Sequence, residues 1–258
     1  MSEKKQIPKV IHYCWFGKNP LPQLAVDCIN SWKKYCPDYE IKEWNEDNFD
    51  FNSCDYVREA YEEGKWAFVS DYARFHIINQ EGGVYFDTDV ELLKPIDDIV
   101  ERGPFMGIER GEESVNVGLG FGAYAGFPFL SEVLAYYKTQ HFRKEDGTLD
   151  QTTVVTRVTN LLKQYGYKNV NKKQYVHKVY IYPTEYFCPM DYLTCKVKIT
   201  PKTRTIHHYA SSWVNDSGFG YQKRMKVLAS IVGSKNALRI DTAAYKVFTK
   251  CKNLIKKR

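Results

Sequence analysis

Two aspartates separated by a single residue, Asp87 and Asp89, close the segment GGVYFDTD after an apolar run. If that run is a strand, residues i and i+2 point to one face, roughly 6.6 Å apart. Both carboxylates can then approach one divalent cation. Hard oxygen ligands favour Mg²⁺ or Mn²⁺ over zinc, and such an ion would stabilise a diphosphate leaving group. An isolated Asp-x-Asp triplet fits a solvated turn equally well, so its sequence context has to decide.

A second polar pair lies just upstream. Asp71 and Arg74 are three residues apart in a segment with helical patterning, so they share a helix face. One interpretation is a surface ion pair of little energetic consequence. The other is a pair directed into a cleft, where Asp71 accepts sugar hydroxyls and Arg74 donates to phosphate or hydroxyl oxygens.

The elements around these residues indicate an α/β fold. The patterning predicts strands over 10–15 and 39–44, and helices over 22–35, 55–63 and 65–80, followed by the strand in GGVYFDTD. Strands that alternate with helices predict parallel pairs. Ligands of such sheets bind beyond the carboxyl ends of the strands, where Asp87 and Asp89 lie. Further along, the patterning predicts strands over 105–109 and 117–124 and helices over 129–138 and 152–165.

Charge separates the end of the chain from the rest. The 258 residues carry a net charge of +6, but residues 222–258 alone carry +10, which leaves −4 for residues 1–221. Residues 246–258 place apolar side chains at helical spacing among lysines, which is typical of a helix on an anionic membrane surface. A helix docked on the main domain fits equally well. We predict one main domain over 1–221 and a basic helical extension over 222–258.

Cysteine usage and the chain start bear on the compartment. The seven cysteines form no Cys-x-x-Cys pair, which argues against a disulfide framework and favours a reducing compartment. No apolar segment follows Met1–Lys5, so we expect no signal peptide. The prediction is a cytoplasmic protein, peripheral on the inner face of the membrane if the tail binds there, with no nucleic-acid partner.

With these residues in view, the chain resembles a known family. Ser70-Asp71-x-x-Arg74 followed by EGGVYFDTD resembles the core of family 32 glycosyltransferases, which have a DXD sugar-binding region and include capsule and exopolysaccharide enzymes. It is also similar to the glucosyltransferase domain of large clostridial toxins. Segments 7–17 and 206–213 extend the resemblance over roughly residues 6–215.

The resemblance implies a GT-A type nucleotide-sugar-binding fold with a mixed, mainly parallel sheet flanked by helices. It also implies a nucleoside-diphosphate-sugar donor, Mn²⁺ or Mg²⁺, and retention of anomeric configuration. Trp15 matches the aromatic residue that stacks on the base, and Asp71 and Arg74 match residues that hold the donor sugar. Asp87 matches the carboxylate near ribose and sugar, and Asp89 the direct metal ligand. These four charged residues are the catalytic candidates.

The remaining matches are looser. Counting back from Ser211 and Trp213, which match diphosphate contacts, places His208 at the third metal-ligand position, where the toxin enzymes carry an acid. Strand alternation points His207 the other way. Asn116 resembles an asparagine that touches the donor sugar. Tyr85 alternates to the same face as Asp87, where a donor contact or simple packing are equally compatible with the sequence.

The predicted activity is transfer of a hexose, with a UDP-sugar as the favoured donor, to a glycan or lipid-linked oligosaccharide in surface polysaccharide synthesis. Phe86-Asp87-Thr88-Asp89-Val90 also fits haloacid-dehalogenase-type phosphatases superficially, with Asp87 as nucleophile. That class carries the motif on its first strand, whereas here 86 residues precede it. The other alternative is a non-catalytic module that binds a sugar nucleotide or a glycan.

Overall fold

The computed structural model describes residues 5–210, 225–233, 236–237 and 240. The chain divides into two compact units, Met1–Pro189 with Lys198–Trp213, and Met190–Val197 with Val214–Arg258. The predicted boundary between residues 221 and 222 lies outside the described residues and stays a prediction.

The first unit alternates strands and helices along its N-terminal half, as predicted. Its strands are β1 Val10–Cys14, β2 Glu40–Trp44, β3 Gly83–Tyr85, β4 Val90–Leu92, β5 Phe105–Ile108, β6 Val115–Ala123, β7 Gln174–Val176, β8 Val179–Tyr182 and β9 Thr205–His207. Its helices are α1 Gln23–Tyr35, α2 Asp55–Glu62, α3 Trp66–Glu81, α4 Asp97–Val100, α5 Pro128–Tyr137, α6 Val154–Gln164 and α7 Thr184–Phe187. A short 3-10 turn covers Phe51–Ser53.

The main sheet has the strand order β2-β1-β3-β6-β5-β8-β7. Strand β1 is parallel to both β2 and β3, as the alternation predicted, and β5 is parallel to β8. The other three pairings, β3 with β6, β5 with β6, and β7 with β8, are antiparallel. The mixed α/β class is confirmed, but parallel pairs do not predominate, because β6 runs against both of its neighbours. Strands β4 and β9 form a separate antiparallel pair.

Alternation along the strands sends side chains to two apolar cores. Cys14 and Tyr85 enter the larger core with α3, α5 and α6, whereas Tyr13 and Phe86 enter the other with α1. Neighbouring residues of a strand point to opposite faces, so the two cores lie on the two sides of the sheet. Both sides are therefore buried, which fits the apolar strands at its centre.

A tight turn joins helix α3 to the central strand β3. Gly82 ends the helix with φ +72°, and Gly83 follows with φ +111°. A Cβ on Gly83 would lie 2.7 Å from the carbonyl oxygen of Val10 and 2.8 Å from Nε2 of His12. Both the backbone conformation and the close approach therefore require glycine. The predicted turn between the Asp71 helix and the strand is confirmed.

The second unit is described only in part. Residues 225–232 are helical, and Met225, Ala229 and Ala237 pack with Leu193 in a small apolar cluster. The tail helix predicted over 246–258 lies outside the described residues. Every helix within the described ranges is too short or too polar to cross a membrane.

Candidate functional site

The parallel register of β1 and β3 brings the candidate residues to one edge of the sheet. Ile11 lies opposite Val84 and His12 opposite Tyr85, so both strands end at the same edge. Trp15 follows β1 there, and Asp87 follows β3. The indole of Trp15 is partly exposed, and its Nε1 donates to the carbonyl oxygen of Asn19 at 2.6 Å.

The two aspartates lie in a turn rather than in a strand. Strand β3 ends at Tyr85 and β4 begins at Val90, where the amide donates to the carbonyl oxygen of Asp87 at 3.0 Å. The expectation that strand alternation aligns the carboxylates is therefore wrong. The chain turns here because β4 leaves the main sheet to pair with β9, and this turn brings the carboxylates of Asp87 and Asp89 together.

The histidine that joins the carboxylates is His207. One ligand atom each of Asp87, Asp89 and His207 lies within 4.8 Å of the others. The predicted ligand, His208, instead has its Nε2 2.9 Å from Oε2 of Glu91, outside this group. The backbone pairing explains the difference, because His207 ends β9 opposite Val90, next to Asp89. The structure thus corrects the choice of His208, which rested on counting back from Ser211 and Trp213.

The contact between Asp89 and His207 is strongly electrostatic. Nε2 of His207 lies 3.0 Å from Oδ1 of Asp89, and the amide of Ala210 donates to Oδ2 at 2.8 Å. Burial acts to raise the pKa of Asp89, but the imidazole and the amide outweigh it and lower that pKa to about 2. The same carboxylate raises the pKa of His207 against its burial. Asp89 is thus held as a carboxylate.

A buried guanidinium links the helix pair to the turn. Nη2 of Arg74 lies 3.2 Å from Oδ1 of Asp71 and 3.2 Å from Oδ1 of Asp87, and its Nε donates to the carbonyl oxygen of Ser70 at 2.9 Å. The interpretation of Asp71 and Arg74 as a surface pair is wrong, since both residues are buried.

Tyr85 contacts the carboxylate of Asp87. Its hydroxyl donates to Oδ1 of Asp87 at 3.2 Å, and its ring lies under the Arg74 guanidinium, 4.8 Å from centroid to Cζ. Tyr85 does share a face with Asp87, but only 1% of it is exposed. Of the two alternatives for Tyr85, the structure favours packing over a donor contact: Tyr85 positions the carboxylate of Asp87, which itself reaches the surface.

Asp71 is held by the start of helix α6. Its Oδ2 accepts from the amide of Val154 at 3.2 Å. Burial raises the pKa of Asp71 to about 6, and Arg74 acts in the opposite direction. With Arg74 between them, Asp71 and Asp87 form one connected polar group.

Gly118 on β6 makes room for this group. A Cβ at that position would lie 2.1 Å from Oδ2 of Asp87 and 3.1 Å from Oδ1 of Asn116. The amide of Gly118 donates to Oδ1 of Asn116 at 2.8 Å, and its carbonyl oxygen accepts from the amide of Asp87 at 3.2 Å. Asn116 and Asp87 therefore lie side by side against one glycine.

Residues 22–106, which include most of these side chains, match the family described as "Glycosyltransferase sugar-binding region containing DXD motif". The chain carries a glycosyltransferase DXD region. Its Asp-x-Asp is Asp87-Thr88-Asp89. The family match and the relatives below support the predicted glycosyltransferase family, and they favour it over the phosphatase interpretation.

The curated relatives match over part of their length. Inositol phosphoceramide mannosyltransferase 1 of Schizosaccharomyces pombe is 28% identical over 116 residues, which cover 41% of this chain and 35% of the relative. Mannosyltransferase 3 of the same organism is 26% identical over 137 residues, covering 52% and 38%. Subversion of eukaryotic traffic protein A of Legionella pneumophila is 27% identical over 124 residues, covering 38% and 19%. The chain thus spans less than two-fifths of these relatives.

Among solved structures, the PaToxG glycosyltransferase superposes with a TM-score of 0.50 at 20% identity, covering 62% of this chain and 70% of that one. This likeness concerns the fold. Together with the mixed sheet and its flanking helices, it confirms the predicted GT-A type of fold.

The chemistry of the DXD region fits a divalent cation. Asp87, Asp89 and His207 would hold it, with two carboxylate oxygens and one imidazole nitrogen, a donor set compatible with Mn²⁺ or Mg²⁺. Asp89 already stays ionised, as a ligand must. The buried Nδ1 of His207 makes no hydrogen bond to any described residue, and neighbouring Glu109 acts on the His207 pKa.

Sequence reasoning missed two residues of the DXD region and its surroundings. Glu109, directly after β5, is a partly buried carboxyl whose hydrogen-bond partners include Asn116 and Tyr209. An acidic residue at the end of an apolar strand was the available signal. His12 was passed over as part of β1, although its Nε2 lies 2.9 Å from the carbonyl oxygen of Gly82 and its Nδ1 accepts from Nε1 of Trp44 at 3.0 Å. Predicted contacts Ser211 and Trp213 lie outside the described residues.

Proposed function

We propose that the chain is a cation-dependent glycosyltransferase that moves a hexose from a nucleoside-diphosphate sugar, with a UDP-sugar favoured, to a glycan or lipid-linked acceptor. One observation supports the proposal: Asp87 and Asp89 of the DXD region converge with His207 at the carboxyl edge of the sheet. The resemblance to family 32 glycosyltransferases adds surface polysaccharide synthesis as the proposed setting.

The chain's own residues prepare this site. Asp89 and His207 present ligand atoms together, while Arg74 and Tyr85 fix the carboxylate of Asp87. Bound there, Mn²⁺ or Mg²⁺ would neutralise the diphosphate of the donor as it departs. The partly exposed ring of Trp15, at the same edge, offers a stacking surface for the base.

We further propose that the sugar keeps its anomeric configuration. The acceptor hydroxyl attacks the anomeric carbon on the face that the diphosphate leaves, its proton passes to the departing diphosphate oxygen, and the glycosidic bond replaces the sugar–phosphate bond. The family resemblance supports this course. Electrostatic stabilisation of the leaving group then contributes most of the rate enhancement.

The deciding experiment is a hydrolysis and thermal-shift screen of UDP- and GDP-sugars with Mn²⁺, run on the wild type and on Asp89→Ala. GDP-sugars are included because two relatives are named mannosyltransferases. We expect Mn²⁺-dependent release of a nucleoside diphosphate by the wild type and none by the variant. Glu91→Ala is the matched control, since Glu91 pairs with His208 outside the cluster.

The same screen separates the alternatives. Phosphate release from simple phosphate esters without a nucleotide would favour the phosphatase. Tight donor binding without turnover would favour the non-catalytic module. A near-normal rate in Asp89→Ala would contradict the cation assignment, and product analysis by NMR at the anomeric proton tests retention.

Membrane association is a separate proposal that rests on the charge of residues 222–258. Removing residues 246–258 should weaken co-sedimentation with vesicles that contain an anionic lipid, more strongly at low salt. Unchanged binding would contradict it. The cytoplasmic location proposed with it is tested by fractionating cells that express the full chain.

A further inference from the structure

A basic cavity of about 560 Å³ lies in the first unit, around the start of helix α7. Five of its lining side chains are cationic and one is acidic: Arg110, Lys172, Lys173, Lys198, Lys202 and Glu185. We call this feature the basic cavity. None of these residues belongs to the group formed by Asp87, Asp89 and His207, which we call the DXD cluster.

The single carboxylate does not neutralise the basic cavity. Oε1 of Glu185 accepts from Nζ of Lys202 at 2.9 Å, which pairs those two charges. The other four cationic side chains form no ion pair with any carboxylate of the described residues. Like charges that converge without counterions create a local positive potential, which an anionic ligand relieves.

The inner wall of the basic cavity carries a further donor. Nε of Arg110 is buried and has no hydrogen-bond partner among the described residues. A buried donor of this kind calls for an acceptor, either a ligand or an ion. Arg110 also lines the basic cavity, so this incompletely paired guanidinium belongs to the same group of cationic side chains.

Two other contacts shape the wall. The ammonium of Lys173 lies 4.7 Å from the ring centroid of Tyr182, and burial is the main cause that lowers its pKa. Asn171 and Thr184 bond to each other, with Thr184 N donating to Oδ1 at 2.8 Å and Nδ2 donating to Oγ1 at 3.0 Å. Asn171 and Thr184 thus hold each other in place, while the cationic side chains without a carboxylate partner can still bind an anion.

The basic cavity is connected to the DXD region by short stretches of chain. Arg110 directly follows Glu109, which hydrogen-bonds Asn116, and Lys202 lies three residues before β9, which ends at the cation-site residue His207. Two chain segments that line the basic cavity thus continue directly into residues of the candidate site and its surroundings.

We propose that the basic cavity binds a phosphate group of the acceptor. Assigning this phosphate to an acceptor rests on the proposed function, whereas phosphate recognition itself does not. Arg110 and the lysines donate charge-assisted hydrogen bonds to the phosphate oxygens. The acceptor then belongs to the class of phosphorylated compounds, either a lipid with a phosphate headgroup or a soluble organic phosphate.

The test measures binding of inorganic phosphate to the full chain, by calorimetry at constant ionic strength with EDTA, so that no divalent cation takes part. We expect saturable binding that the Lys172→Gln/Lys198→Gln variant weakens by roughly tenfold or more. The control is Lys144→Gln/Lys163→Gln, which removes two exposed lysines elsewhere, and we expect a change of less than about twofold. Arg110→Gln, checked for folding by its melting temperature, should weaken binding similarly.

Two further arms identify the source of the phosphate. One measures glycerol 3-phosphate, and the other measures co-sedimentation with phosphatidylcholine vesicles with and without phosphatidic acid. Vesicle binding that requires phosphatidic acid, is displaced by inorganic phosphate and is lost only in Lys172→Gln/Lys198→Gln supports a lipid acceptor. Binding of glycerol 3-phosphate without such vesicle binding supports a soluble one.

Failure of this inference and failure of the proposed function give different results. Absent phosphate binding, or equal weakening in the control variant, overturns the phosphate site whatever the donor hydrolysis shows. Lysine-dependent phosphate binding without donor hydrolysis in the wild type supports the phosphate site and contradicts the glycosyltransferase. We expect Lys172→Gln/Lys198→Gln to keep Mn²⁺-dependent donor hydrolysis, since neither lysine contacts the DXD cluster.

Discussion

Arg74 Nη2 lies 3.2 Å from Asp87 Oδ1, and this contact ties helix α3 to the turn that carries the candidate cation ligands. The same nitrogen lies 3.2 Å from Oδ1 of Asp71. One buried cation thus faces two carboxylates, and the position of Asp87 depends on a residue thirteen positions earlier in the chain.

Replacing Arg74 should destabilise the fold. Arg74→Met leaves the carboxylates of Asp71 and Asp87 facing each other without a cation, so we expect the free energy of unfolding to fall by about 3 kcal/mol. Urea denaturation followed by circular dichroism measures it. Arg143→Met is the control, since Arg143 pairs with Glu62 and Glu63 on the surface, and its loss should be below about 1 kcal/mol. Equal losses in the free energy of unfolding would mean that the buried contact stabilises the fold no more than a surface ion pair does.

The two adjacent histidines should behave differently. His207→Gln removes a nitrogen from the cation cluster, so we expect Mn²⁺ affinity to drop by roughly tenfold or more. His208→Gln removes only the contact with Glu91 and should change the affinity by less than about twofold. Electron paramagnetic resonance of free Mn²⁺ gives both affinities. A larger loss of Mn²⁺ affinity in His208→Gln than in His207→Gln would instead identify His208, the ligand predicted from the sequence.

Gly118→Ala tests the space beside Asp87. Its new Cβ would lie 2.1 Å from Oδ2 of Asp87, so the carboxylate must move, and we expect donor turnover to drop by roughly 10²-fold. Gly107→Ala on neighbouring β5 is the control, because the nearest atom to its Cβ would be Cβ of Phe187, at 3.2 Å. Steady-state kinetics with melting temperatures separates lost activity from lost folding. Normal turnover in Gly118→Ala would show that Asp87 tolerates displacement.

Acid should weaken the fold through His12. Burial lowers the pKa of His12 from 6.5 to about 4, so between these values the unfolded chain binds a proton that the folded chain does not. The free energy of unfolding therefore falls as the pH drops from 6.5 to 4, by up to about 3 kcal/mol. Denaturant titrations at pH 7 and pH 4.5 measure this loss.

The variant His12→Gln isolates this contribution. Glutamine retains a donor toward the carbonyl of Gly82 but does not titrate, so the acid-induced loss should shrink. His141→Gln is the control, because Glu59 raises the pKa of this exposed histidine. That shift has the opposite sign, and its removal should not reduce the acid-induced loss. An unchanged loss in His12→Gln would assign the acid sensitivity to other groups.

Local patterns were sufficient for the element positions. Within residues 5–210, each helix and strand predicted with explicit bounds appears within two residues of its predicted ends, because hydrophobic periodicity and glycine turns act over a few residues. Strands β4, β7 and β8, only three or four residues long, are too short for such a period. Local patterns also did not predict the direction of β6, since strand pairing joins segments that are distant in the chain.

Local sequence patterns were enough to predict that Asp87 and Asp89 follow a central strand, that a glycine turn precedes that strand, and that Asp71 and Arg74 share a helix face. These relations hold between residues close in the chain. Three further relations follow from the fold: His207 rather than His208 joins the carboxylates, Arg74 is buried between two acids, and Gly118 leaves room for Asp87. The first and the third depend on the pairing of segments 30 to 120 residues apart, which burial and backbone hydrogen bonding fix together and no local pattern records. The burial of Arg74 depends on the packing of helix α3 against β1, β3 and β6 of the same sheet.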